Sequence, residues 1–218
     1  MRTTSLALCA LLLSAGAANA DCTSDVNDAF AKLRASKTFN MQTKITNASG
    51  TLTMSNDYVL PDRMYQRLQL KDGAPGPMEM ILIGDKAWSN QGKHGWVPLP
   101  PEFAGKVAQQ MKETVVEPPK DKITYTCLGD VEFEGKTYAA YSTKRAPGPN
   151  EKDAAEKKAE EAAKAEGVGK GNVQTVYIDK ESGLPVRNIV TPEDAPEKRL
   201  FDGTFTKRAD IKIEPPQS

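Results

Sequence analysis

Apolar residues recur at helical spacing in two separate stretches of the chain. In the stretch from Asp21 to Ser36 they lie three and four positions apart. These positions are Val26, Ala29, Phe30 and Leu33. The spacing places them on one face of an amphipathic helix, which either Thr23 or Ser24 can cap. A second stretch, Glu102–Lys112, has the same period and predicts a second helix. Its apolar positions are Phe103, Val107 and Met111.

Between and after these two stretches the apolar period changes to two. The alternating segments are 39–45, 52–54, 64–70, 78–82, 86–88, 123–131, 136–144, 173–179, 184–190 and 200–207. Alternation of this kind is typical of strands that bury one face. Short turns such as Gly84-Asp85 and Glu134-Gly135 connect neighbouring segments. The pattern therefore predicts an antiparallel meander.

The N-terminus has the pattern of an export signal. Arg2 supplies a positive charge, an apolar run follows, and Ala18-Asn19-Ala20 has the small residues that signal peptidase requires. The run is shorter than the roughly 20 apolar residues of a membrane-spanning helix. We predict that residues 1–20 are removed and that the mature protein is periplasmic. A lipid anchor on Cys9 or Cys22 is the alternative, although the residues before Cys22 depart from a lipobox.

Two cysteines, Cys22 and Cys127, follow the predicted cleavage site. An even pair outside the cytoplasm usually forms a structural disulfide, and we predict that bond here. Strand parity places Cys127 on the same side as Ile123, Tyr125 and Val131, so its side chain is predicted to point inward.

Charge and composition exclude several classes of partner. Without Arg2, the chain has 28 basic residues against 29 acidic ones, a net charge of −1. Clustered basic residues that would recruit nucleic acid or an anionic membrane surface are absent from the sequence. Residues 145–172 consist almost wholly of Ala, Glu, Lys, Gly and Pro. Such a segment cannot bury enough apolar surface to fold, and we interpret it as a flexible charged insertion between neighbouring strands.

The sequence offers little for catalysis. His94 is the single histidine, and it lies in a glycine-flanked turn with no nucleophile or orienting partner proposed by the pattern. One histidine without a free cysteine argues against a zinc site. Phosphate-binding glycine motifs are absent from the sequence. We therefore expect a protein that is not an enzyme and that uses no metal and no cofactor.

Several short motifs resemble the periplasmic lipoprotein-carrier superfamily, the LolA/LolB-like proteins. Gly84-Asp85-Lys86-Ala87-Trp88 is similar to that family's glycine turn and aromatic strand, and Trp96 follows as a second aromatic residue. The hairpin from Tyr177-Ile178-Asp179 to Ser182-Gly183-Leu184-Pro185-Val186-Arg187 resembles the family's C-terminal hairpin. The resemblance implies that residues 21–218 form a single, mainly β domain with helices (α+β). Its sheet would be an unclosed, curved antiparallel β-barrel with the helices lying in its mouth over a hydrophobic cavity.

One position departs from the family's pattern. The lipoprotein carrier has an arginine immediately before the proline near its third strand, and this arginine helps to hold the helical lid. Here Leu60 precedes Pro61, and Arg63 follows it. The departure argues against lipoprotein cargo specifically and leaves apolar ligand binding intact.

The methionines and aromatic residues supply the candidate cavity lining. Methionine adapts its shape to irregular apolar partners and is frequent at promiscuous hydrophobic sites, although plain core packing explains the same residues one by one. The predicted ligand-binding set is Met41, Met54, Leu68, Met80, Leu82, Trp88, Trp96, Phe103, Val107 and Met111. We predict a non-catalytic binding or carrier protein for a lipid, an acyl chain or a lipidated protein. The alternative is an envelope protein-interaction or sensor module in which the cavity is only core.

Overall fold

A computed structural model describes residues 21–47, 50–70, 77–92, 95–120, 122–145 and 171–217. The helices are α1 (Cys22–Ala35) and α2 (Pro101–Met111), and a π-helical turn (Lys112–Val116) extends α2. The strands are β1 (Thr38–Asn47), β2 (Gly50–Val59), β3 (Arg63–Leu70), β4 (Met78–Ile83), β5 (Lys86–Gln91), β6 (Trp96–Pro98), β7 (Thr126–Phe133), β8 (Lys136–Arg145), β9 (Asn172–Ile178), β10 (Pro185–Pro192) and β11 (Phe201–Lys207). The predicted signal peptide, His94 and most of the predicted insertion lie outside the described residues.

All eleven strands form one antiparallel sheet. Their order is β6-β5-β4-β3-β2-β1-β11-β10-β9-β8-β7, so the first and last strands of the chain meet in the middle of the sheet. Among the described residues, the edge strands β6 and β7 have one neighbour each, and the sheet is open. The predicted fold class, mainly β with helices on an unclosed antiparallel sheet, is confirmed.

One face of the sheet carries the main core, and we call it the inner face. Five buried residues stand side by side across five neighbouring strands there: Phe39, Tyr58, Met64, Leu82 and Ala87. Leu33 of α1 and Ala104 and Met111 of α2 pack on this row. Both helices therefore lie on the inner face.

A second buried cluster attaches α1 to the β7–β9 end of the sheet. It consists of Val26, Ala29, Tyr125, Tyr141, Val176 and Ile178. The predicted disulfide is confirmed beside it, because Cys22 and Cys127 are bonded with their Cα atoms 5.3 Å apart. The helix cap differs from the prediction: the side chain of Asp21 accepts hydrogen bonds from the amides of Thr23 and Ser24 at 3.1 and 3.2 Å. The hydroxyl of Thr23 does not cap the helix but accepts a hydrogen bond from the Tyr125 amide at 3.0 Å.

The predicted strand parity of β7 is wrong beyond Cys127. Cys127 stands opposite Tyr141, whereas Val131 stands opposite Tyr138, and these tyrosines are three positions apart on β8. An irregularity in the register between Cys127 and Gly129 inserts one residue and reverses the faces after it. Gly129 has a φ of 79°, a conformation that favours glycine. Cys127 and Val131 therefore lie on opposite faces of the sheet.

The C-terminal residues that follow β11 cross the other face, the outer face. Ile213 is buried there, and its carbonyl oxygen accepts a hydrogen bond from the Arg63 guanidinium at 2.8 Å. Within the part of the chain that the structure describes, neither helix has the length and apolar character needed to cross a bilayer.

Candidate ligand-binding face

The strand register brings five of the predicted ligand-binding residues onto the inner face. They are Met41, Met54, Leu68, Met80 and Leu82. Val107 and Met111 reach the same face from α2, where they pack on the core. Seven of the ten predicted residues are therefore gathered around the inner face by β1 to β4 and α2.

The register separates the two tryptophans from that set. Trp88 follows Ala87, which points inward, so Trp88 points outward, opposite Ile81. Trp96 stands opposite Asn90, two positions after Trp88, and therefore also lies on the outer face. Trp88 and Leu82, which were predicted to line one cavity, therefore lie on opposite faces of the sheet.

The tenth residue, Phe103, lies at the rim. The side of α2 that meets the sheet carries Ala104, Val107, Ala108 and Met111. Phe103 is 51% exposed because the helix turns by about 100° per residue and places it beside that side. It is an exposed aromatic ring at the edge of the helix.

Part of the inner face lies beyond the two helices, and we call it the uncovered end. Leu70 and Met78 are 45% and 40% exposed there. A row of apolar residues at inner-face register positions continues from Leu70 across the sheet: Leu52, Ile45, Phe201 and Val190. The sequence prediction missed these row members, although the same two-residue alternation marks them. Exposed apolar residues grouped in this way are typical of a binding surface.

The helix α2 is held on the inner face by apolar contacts. The polar side-chain interactions of its segment that the structure describes stay within residues 109–120. Gln109 donates to Glu113 at 2.6 Å, and Lys112 and Lys120 pair with Glu117 and Glu113 at 3.6 Å. Apolar contacts are non-directional, so a helix held by them can shift without breaking a specific bond to the sheet.

Charge is distributed unequally between the two faces. At the described inner-face positions of β1–β5 and β9–β11, the only charged residue is Lys207, at the exposed end of β11. Towards the β7 edge, the inner-face register positions include Asp130, Glu132 and Arg145. The outer face carries ionic networks instead. On β3 and β4, hydrogen bonds from Tyr65 and Arg67 hold the pKa of Glu79 below its ordinary value, against the opposing effect of burial.

The position that departs from the family pattern has a different role in this chain. Leu60 is buried among the inner core residues, and its amide donates to the Lys37 carbonyl at 2.8 Å. Arg63 lies on the outer face and bonds the C-terminal segment. Leu60 has no guanidinium, and that of Arg63 bonds the Ile213 carbonyl on the outer face, so neither residue takes the role of the carrier's arginine beside its helical lid.

A separate groove lies on the outer face. It has a volume of about 280 Å³ and is bounded by β9, β10 and the segment before β11. Phe133, Tyr177 and Arg199 are among its lining residues, and the Phe133 and Tyr177 rings stack at 4.6 Å between centroids. The described residues contain no group of three His, Cys, Asp or Glu side chains placed to hold a metal ion.

Two solved structures share this fold. LprF from Mycobacterium bovis is 13% identical, with a TM-score of 0.52 over 90% of this chain and 97% of that one. The Mycobacterium tuberculosis lipoprotein LppX is 10% identical, with a TM-score of 0.52 over 88% and 98%. No protein-family model and no curated protein sequence matches the chain. This chain therefore shares the fold of these two proteins, and at these identities the similarity concerns the fold alone. An open antiparallel sheet with helices on one face agrees with the fold that the sequence motifs predicted.

Proposed function

We propose that this protein is a non-catalytic periplasmic binding or carrier protein that holds a lipid, an acyl chain or a lipidated protein on its inner face. The observation that carries the proposal is the uncovered end of that face. Apolar side chains continue there from the core to solvent, and the inner-face positions beside them are uncharged. Burial of such surface by a ligand contributes about 25 cal/mol per Å².

The helix α2 supplies the proposed means of entry. A ligand that binds between α2 and the sheet replaces apolar contacts of Val107 and Met111 with contacts of its own. The exchange leaves no polar group unpaired, because the described polar side-chain interactions of the α2 segment are internal to it. The ligand binds the protein more tightly when α2 is shifted, and it therefore raises the population of that state.

Location outside the cytoplasm is supported by the disulfide and by the N-terminal pattern. The Cys22–Cys127 bond requires an oxidising compartment in most organisms. Arg2, the apolar run and Ala18-Asn19-Ala20 match an export signal. Detection of a mature chain that begins at Asp21 in a periplasmic extract tests this part of the proposal.

The binding experiment uses delipidated protein from Asp21 onward and an uncharged apolar dye, N-phenyl-1-naphthylamine. We expect saturable binding with an increase in fluorescence. Leu68→Glu places a carboxylate at an inner-face position, which the dye must desolvate, so the dissociation constant rises by at least about tenfold. Gln69→Glu adds the same charge at the next position, on the outer face, and leaves binding unchanged.

Circular dichroism and the unfolding midpoint must first show that both variants are folded. Native mass spectrometry of protein purified from its own periplasm adds a second measurement, since a co-purifying lipid supports the carrier. If the folded wild-type protein binds no dye at micromolar concentration, the proposal is wrong. The envelope protein-interaction or sensor module, in which the inner face is only core, then takes its place.

A further inference from the structure

Three buried polar atoms on the inner face have no hydrogen-bond partner among the described residues. They are Thr43 Oγ1, Gln174 Oε1 and Asn188 Oδ1. Thr43 and Gln174 are 4% and 5% exposed as whole residues. Buried polar atoms are nearly always paired in folded proteins, so three unpaired atoms on one face require an explanation.

The three residues lie close together in the sheet. Thr43 of β1 stands opposite Gly203 of β11, and Gly203 stands opposite Asn188 of β10. Val190, the next inner-face residue of β10, stands opposite Gln174 of β9. We call Thr43, Asn188 and Gln174 the polar strip. It lies beside the apolar row of the uncovered end.

The surroundings of the strip do not supply the missing hydrogen bonds. Gly203 contributes no side chain, and the Phe201 ring lies so close that a Cβ atom on Gly203 would be 2.8 Å from it. A comparable pair on the same face is satisfied internally, because Gln66 donates to Asn56 Oδ1 at 3.0 Å. The strip therefore differs from an ordinary buried polar pair.

We propose that the polar strip binds an uncharged hydrogen-bonding group, a hydroxyl or an amide N–H, on the ligand of the inner face. This inference rests on the proposed function and names the class of ligand. Two of the unpaired atoms are amide oxygens, which accept hydrogen bonds, and the threonine hydroxyl both donates and accepts. The inner-face positions of β1, β9, β10 and β11 beside the strip carry no positive charge for a carboxylate or a phosphate, so its desolvation there would be uncompensated. Arg145 of β8 is the nearest basic residue by inner-face register, two positions after Thr143, which stands opposite Gln174.

The test is competition against the bound dye by four ligands with the same chain length. These are dodecanol, dodecanamide, dodecanoate and methyl dodecanoate, measured at pH 8. We expect the alcohol and the amide to bind about tenfold more tightly than the other two, which corresponds to about 1.4 kcal/mol. The ester controls for the apolar chain because it has no donor, and dodecanoate controls for charge.

Three variants test the strip itself: Thr43→Val, Gln174→Met and Asn188→Leu. Each removes a buried unpaired polar atom, so each should remain folded with an unchanged or higher melting temperature. The preference for alcohol and amide should fall to about twofold or less, because affinity for these two ligands drops more than affinity for the methyl ester. Thr206→Val makes the same chemical change at an exposed outer-face position of β11 and should keep the preference.

The outcomes separate this inference from the proposed function. If folded wild-type protein binds neither the dye nor any of the four ligands, the proposed function fails, and this inference with it. If all four ligands bind with equal affinity, or if the folded variants keep the preference, the inference alone is overturned. A polar strip that only binds water would give no preference for the alcohol and the amide that depends on Thr43, Gln174 or Asn188.

Discussion

Both helices lie on the inner face, but they are attached to the sheet by different interactions. The helix α1 is bonded covalently to β7 through Cys22, and its Asp25 accepts a hydrogen bond from Tyr141 of β8 at 3.0 Å. The hydroxyl of Thr23, also in α1, accepts a hydrogen bond from the Tyr125 amide. The helix α2 packs through Ala104, Val107, Ala108 and Met111, and the described polar side-chain interactions of its segment are internal.

The difference separates a structural helix from a displaceable one. Movement of α1 would break directional bonds and a disulfide, so α1 is part of the framework of the sheet. Movement of α2 would lose only apolar contacts, which a hydrophobic ligand can replace. The part of a protein that moves on binding is drawn from its less stable elements, and attachment by apolar contacts makes α2 the candidate for such an element.

Removal of the disulfide should produce the largest effect. The double variant Cys22→Ser with Cys127→Ser releases α1 from β7 and opens a loop with a sequence separation of 105 residues. The chain-entropy estimate for such a loop is about 4–5 kcal/mol of unfolding free energy. Urea unfolding followed by circular dichroism measures it. A loss below about 1 kcal/mol would show that α1 is held mainly by its other contacts.

Truncation of one apolar residue on each helix should have unequal effects. Leu33 of α1 is 2% exposed, and Leu33→Ala should cost about 2–4 kcal/mol of unfolding free energy. Val107 of α2 is only partly buried, so Val107→Ala should cost about 1 kcal/mol or less. The same urea experiment measures both changes. Equal costs would contradict the distinction between the helices.

The hydrogen bond from Tyr141 to Asp25 should contribute about 1–2 kcal/mol to the free energy of unfolding. The loss of unfolding free energy in Tyr141→Phe measures this contribution. Burial, together with this bond, raises the pKa of Tyr141 to about 12, from an ordinary value of 10. A raised pKa in the folded state stabilises the protein fully below pH 10, and this contribution is lost as the pH rises towards 12.

Unfolding between pH 8 and pH 12 measures that dependence. The wild type should lose more stability over this range than Tyr141→Phe does. Part of the fall should remain in the variant, because burial also raises the pKa of Tyr58 to about 12. If both proteins lose the same amount of stability, the Tyr141 hydroxyl is not buried against α1 in the folded protein.

The smallest expected effect is a stabilisation of α2. Gly105 lies inside the helix, and a Cβ atom added there would meet no other atom within 4 Å. Gly105→Ala should therefore stabilise the helix by about 0.5–1 kcal/mol. Hydrogen exchange of the α2 amides should slow while that of the α1 amides stays the same. Equal slowing in both helices would mean that α2 opens only with the whole domain.

Local sequence pattern determined most of the elements and one long-range bond. Strands such as β1 alternate Phe39, Met41, Thr43 and Ile45 with polar residues, and this period survives folding because each strand buries one face. The disulfide followed from an even number of cysteines in a chain predicted to be exported. The similarity of the C-terminal hairpin and the glycine turn to a known fold is also carried by the sequence alone.

Tertiary structure decided which residues share a face and which helix can move. One irregularity beside Gly129 reversed the parity of β7. The register of β5 with β4 placed Ala87 on the inner face, so its neighbour Trp88 points outward. The helix α2 has apolar residues on two adjacent sides, and only the sheet selected Ala104 over Phe103 for burial. The polar strip joins residues more than 130 positions apart, because antiparallel pairing places β11 between β1 and β10, with β9 on the far side of β10. Periodicity describes a strand or helix alone, whereas a binding face depends on the register between strands that are distant in the chain.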